Sequence, residues 1–143
     1  MTELVRNCAG GIVFCHDKVF LLKSDKNEWL MPKGVIRDGN HSNEIALWRV
    51  EDEGGIQAEI IGVAGNTCYR FFSETRQRDV INRIQWFAMR AENEDFTVSF
   101  DQGFLDGKYF PIADARERLT HDMDREVLDR AVEIYRKVSA TDC

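Results

Sequence analysis

Residues 44–53 read EIALWRVEDE, four carboxylates and one arginine in a short stretch with helical periodicity. At about 100° per residue, Ile45, Trp48, Arg49, Asp52 and Glu53 share one stripe, Ala46, Leu47 and Val50 form the adjoining core face, and Glu44 and Glu51 project to solvent. The acids are therefore not equivalent. Asp52 and Glu53 are placed to hold a hard cation jointly with a ligand's phosphates, since Mg²⁺ favours one or two carboxylates plus substrate oxygens and water. Acids at a helix C-terminus also oppose the macrodipole, which favours use over chance.

The elements that must position this stripe are legible on either side. Gly54-Gly55 stops the helix, because glycine adopts the left-handed cap conformation without penalty. The helix is predicted over residues 42–53, entered through the Asp38-Gly39-Asn40 turn, with Asn40 or Ser42 as its cap. Upstream, GGIVFCHDKVFLLKS (residues 10–24) predicts a hairpin turned at His16-Asp17-Lys18. Downstream come two long strands, 58–72 and 80–92, a loop through Gly103 and Gly107, the short strand KYFPI, a helix over 113–119 and a closing helix over 124–138. Val127, Leu128, Ala131, Ile134, Tyr135 and Val138 give that last helix its apolar stripe. This order predicts an α+β fold, one mixed sheet between helices in an α/β/α sandwich, and a single domain over residues 1–143.

Composition narrows the partners. With 143 residues, 43% of them hydrophobic, the chain is long enough for a real core. A net charge of −6 argues against general nucleic-acid binding, so any phosphate site is local. No apolar run reaches the length of a membrane span, and MTELVRNCAGG lacks the apolar core of a signal peptide, which predicts a cytoplasmic protein that binds no membrane. Cys8, Cys15, Cys68 and Cys143 show no CxxC pairing and read as buried or free thiols. Trp48 reads as packing. Trp29 fits either packing or a ligand contact, and His41 and His121 receive no role, since no serine or cysteine nucleophile stands out for them to activate.

Residues 34–56, GVIRDGNHSNEIALWRVEDEGGI, resemble the Nudix box over all 23 positions without a gap. That pattern runs Gly, five residues, Glu, seven residues, Arg-Glu, an apolar residue, any residue, Glu-Glu, any residue, Gly, an apolar residue. Gly34, Val50, Glu53, Gly55 and Ile56 fall on it, and Asp52 stands for the first of the paired glutamates. WLMPKG resembles the strand and turn before the box in dinucleoside polyphosphate and diphosphoinositol members, and DREVLDRA resembles a closing helix of bacterial ones. Three positions depart: Asn40 for the first Glu, Trp48 for the Arg, and Arg49 for a Glu that is a principal metal ligand in the family.

The resemblance implies hydrolysis of a nucleoside diphosphate linked to another group, with Mg²⁺ or Mn²⁺ polarising the phosphates. Asp52 and Glu53 are then the catalytic carboxylates and, with Gly34, the metal ligands. Lys33, Arg49, Arg76, Arg78 and Arg83, with Arg70 beside them, are candidates for substrate contact. A guanidinium in the cage repels a cation and pairs with carboxylates, so the metal is expected to bind weakly and turnover to be attenuated. A replacement carboxylate is sought among Glu74, Asp79, Glu94, Asp101 and Asp106. The alternative is a non-catalytic nucleotide-binding or regulatory protein in which Arg49 grips the diphosphate directly. The linked group and the oligomeric state stay open.

Overall fold

The computed structural model describes residues 3–141. A long first strand, β1 (Leu4–Cys15), turns at His16-Asp17 into β2 (Lys18–Lys23), so the hairpin turn is two residues rather than the predicted three, with His16 at φ +56°. Two short strands follow, β3 (Trp29–Leu30) and β4 (Lys33–Val35), then helix α1 (Ser42–Gly54). The long strands are β5 (Glu59–Ser73) and β6 (Arg78–Arg90), and after a 3-10 turn (Phe100–Gln102) come β7 (Asp106–Pro111), α2 (Ile112–Arg118) and α3 (Asp122–Thr141).

The sheet runs β3-β2-β1-β6-β5, with β4 also paired to β1 and β7 to β2. β1 and β6 are parallel from Leu4↔Val80 to Phe14↔Arg90, and every other pairing is antiparallel, so the sheet is mixed as expected. Alternation along β1 sends Cys8, Ile12 and Phe14 to one face and Ala9 and Val13 to the other. The first face packs on α2 and α3 through Ala115, Leu119, Val127, Leu128 and Ala131, and the second on α1 through Ile45, Ala46 and Val50. Two cores, one on each side of a single sheet, make the α/β/α sandwich. No described helix is long and apolar enough to cross a membrane.

The start of α1 differs from the expected cap, and its C-terminal cap does not. The cap position of α1 falls on His41 (φ −97°, ψ 148°), with no side-chain cap bond, rather than on Asn40 or Ser42. The Asn40 amide is used in the preceding turn, donating to the Arg37 carbonyl at 3.1 Å. At the other end Gly55 is left-handed, as predicted (φ +63°), and its N–H donates to the Glu51 carbonyl at 2.8 Å. Cys8 and Cys15 are buried free thiols and Cys68 is an exposed one; Cys143 lies outside the described residues.

Candidate functional site

The site is built where α1 crosses β4. Gly10 lets this happen: a Cβ there would stand 2.4 Å from the Trp86 ring and 2.7 Å from the Pro32 carbonyl, so glycine is what allows Pro32 to cross β1, where its carbonyl accepts the Gly11 N–H at 3.0 Å. That crossing sets Lys33 and Gly34 on β1, opposite Gly10 and Ala9. Gly34 and Ala9 share the α1 side, and the side chain of Arg49 lies directly on Gly34. A Cβ at residue 34 would be 2.0 Å from Arg49 Nε and 2.6 Å from its Cδ.

The guanidinium is held from the helix. Its Nη1 is 3.7 Å from Glu53 Oε2 and 4.0 Å from Asp52 Oδ2, and the group lies 4.9 Å from the Trp48 ring centroid, within cation–π range. Arg49 Nε is buried and has no hydrogen-bond partner among the described residues. Glu53 is only 5% exposed. Burial pushes its carboxyl up to about 7, against the pull of Arg49, of Lys33 and of a backbone hydrogen bond from Lys33. Asp52 is exposed, and one oxygen accepts a 2.7 Å hydrogen bond from the Gln102 amide. Trp48 is 53% exposed, which corrects the packing expectation: it lies toward solvent against Arg49 instead of in the core.

Beyond Lys33 opens a cavity of ≈ 530 Å³ on the α3 side of the sheet. Met31, Ile84 and Trp86 form its apolar floor, Tyr69 and Phe71 one wall, and His121 and Asp124 the other. The Tyr69 and His121 rings are near-parallel, 10° apart in plane with centroids 6.3 Å apart, and His121 Nε2 is 3.3 Å from Glu28 Oε2. Asp124 is raised by burial, opposed by Lys33, His121 and Arg125. Lys33 and Arg70 both reach this cavity, although Arg70 also pairs with Glu3 at 2.8 Å. Arg76 and Arg78 sit at the tip of the β5–β6 hairpin, and Arg83 lies in a separate groove. Trp29 packs edge-on against Phe110, with centroids 4.9 Å apart.

This combination of sheet, crossing helix and box geometry has counterparts. The sequence profile of the NUDIX domain matches residues 4–131. The chain belongs to the Nudix family. A C. elegans Ap4A hydrolase binary complex superposes with a TM-score of 0.73 at 14% identity, covering 92% of this chain and 98% of that one. The E. coli dihydroneopterin triphosphate pyrophosphohydrolase matches at 0.73 and 16%, covering 90% and 97%. A MutT NUDIX hydrolase from Burkholderia pseudomallei matches at 0.68 and 17%, covering 90% and 98%. At these identities the likeness is one of fold.

Nudix proteins generally work with divalent metals such as Mg²⁺. The residues here do not fit such an ion at the box: the Arg49 guanidinium fills the space between Gly34, Asp52 and Glu53, and no group of three histidine, cysteine or acidic side chains converges among the described residues. None of the expected substitutes completes a set. Glu94 is 3.1 Å from Lys18, and Asp106 accepts the Gly107 N–H. Glu74 lies in the hairpin turn, Asp79 pairs with Phe72 along β6, and Asp101 is in the 3-10 turn. The group that does meet Asp52 is the amide of Gln102, and no periodicity in the sequence points to it.

Proposed function

We propose that this Nudix protein binds a nucleoside diphosphate linked to another group, dinucleoside polyphosphates being the favoured class, and hydrolyses it slowly at best. The observation that carries this reading is the position of Arg49, laid on Gly34 with Glu53 and Asp52 beside it. In this arrangement a guanidinium supplies the positive charge that the phosphates need, through donors that suit a diphosphate bidentately. Lys33 adds a second cation between the box and the cavity, and the base rests on the Tyr69 wall. Any Mg²⁺ binds weakly, because a fixed cation within about 4 Å costs a few kcal/mol at an effective dielectric near 20.

A second reading, nucleotide binding without turnover, is favoured by the same filled box and by the missing third carboxylate. One pair of variants separates the two. Binding of ADP is measured by calorimetry with Mg²⁺ and with EDTA, and phosphate release from a dinucleoside tetraphosphate is followed in parallel. Wild type is expected to bind ADP in EDTA, and Arg49→Ala to weaken that binding by about 1.5 to 3 kcal/mol. Arg49→Glu is expected to gain metal affinity and turnover if the chain is an attenuated enzyme, and to gain neither if it is a binder. ADP binding that needs Mg²⁺ and ignores Arg49→Ala overturns the proposal.

A further inference from the structure

The strands that carry the cavity on one face carry a different surface on the other. Asn7 in β1 opposes Arg83 in β6, Arg83 opposes Cys68 in β5, and Gln85 opposes Asn66. Opposed residues share a face, and these lie on the α1 side with Ala9 and Phe87. The four polar side chains are thus neighbours across three strands, just beyond the cover of α1. They line a groove of ≈ 520 Å³ closed at one side by Ile36, and no carboxylate is among its lining residues.

Three features set this surface apart from an ordinary solvated sheet face. Asparagine is depleted in strands, yet Asn7 and Asn66 both occupy strand positions here. Among the described residues, none of the side chains of Asn7, Asn66, Arg83 and Gln85 takes part in a hydrogen bond or ion pair, although all four are adjacent. Arg83 is a cation without a carboxylate in a chain whose net charge is −6. Carboxamides donate and accept, and a guanidinium only donates, so the array matches an anion that also carries hydroxyl groups.

We propose that the groove formed by Asn7, Asn66, Arg83 and Gln85 on the α1 face of the sheet is a second binding site, for a small phosphate or carboxylate that bears hydroxyl groups. Arg83 takes the anion and the three carboxamides take the hydroxyls. The site stands apart from Arg49 and does not depend on the diphosphate reading. Its occupant is either a separate molecule or the far end of a ligand that also reaches the box past Ile36.

The test is an amide-detected NMR titration of the whole chain with ribose 5-phosphate, with neutral ribose as control. Shifts are expected at the amides of residues 7, 66, 83 and 85, with little response to ribose. Arg83→Ala should raise the dissociation constant at least tenfold, Asn66→Ala by about threefold, and Arg49→Ala should leave it unchanged. Arg83 is exposed, so its variant is expected to fold, and an unchanged thermal midpoint checks this. Shifts confined to residues around 34, 49 and 53, or an Arg83→Ala variant that binds as wild type, overturn the site. ADP-ribose then identifies the source: a single binding event weakened by Arg49→Ala and by Arg83→Ala marks one bridging ligand, and two events, each weakened by only one of these variants, mark two molecules.

Discussion

The end of α1 and the cavity beside α3 hold similar side chains in opposite conditions. At α1 the charges answer one another: Arg49 meets Glu53 and Asp52, and the Gln102 amide donates to the same Asp52 oxygen that faces Arg49. In the cavity, Lys33, His121 and Asp124 face an open volume between an aromatic wall and an apolar floor. The α1 end is therefore filled from within, while the cavity stays open, and on the proposed reading the first would meet the phosphates and the second the base. The two can differ because they rest on different elements.

The largest expected effect tests whether the α1 end is closed at a cost. Glu53 has its carboxyl raised to about 7, above the ordinary 4.5, so folding takes up a proton between those values. Stability should then fall as pH rises from about 4.5 to about 7, with the full penalty above that. The span is about 3 kcal/mol at roughly 1.4 kcal/mol per unit. Glu53→Gln should flatten this part of a urea-midpoint series against pH, and parallel curves for the two proteins would break the picture of a buried, costly carboxyl. Next in size is Gly34→Ala. The added methyl must evict Arg49, leaving Glu53 buried beside no guanidinium, and a loss of about 2 kcal/mol is expected in denaturant unfolding. An unchanged midpoint would mean that Arg49 is not held there.

The smallest effect probes the open end. Tyr69→Ala should weaken adenosine binding by about 1 to 2 kcal/mol, the range for losing a stacking ring, while inorganic pyrophosphate binding stays as in wild type. Equal losses for both ligands would show that the cavity and the box are not separable.

Much of the scaffold was legible because it follows local rules. The α1 span differs from prediction by one residue, since Gly55 punctuates it and Ile45, Ala46 and Val50 mark its buried face. The first strand was read six residues short, because LVRNC carries polar residues that a paired strand tolerates. β3 and β4 are two and three residues long and exist through pairing with β2 and β1, so no periodicity announces them and only the resemblance of WLMPKG pointed to a strand there. At the site, helical periodicity put Arg49, Asp52 and Glu53 on one stripe, and they are neighbours in the fold, whereas Arg76, Arg78 and Arg83 do not join them. Tyr69 and Asp124 went unnoticed, and His121 was given no role, because only the folded chain makes neighbours of Lys33 and residues so far along it.

The parallel pairing of β1 with β6 also has a kinetic meaning. Its contacts join residues such as Arg6 and Asn82, 76 positions apart, and a loop of that size must close before any of them forms. The β5–β6 hairpin needs only a short turn, so it is expected to form first, with β1 docking afterwards. Among the described strands β4 pairs only with β1, which makes the seat of Arg49 one of the last parts of the molecule to assemble. Pulse-labelled hydrogen exchange during refolding should find the β6 amides protected before those of β1. A nascent chain released before residue 90 would thus hold the whole box sequence and still have no place to fold it.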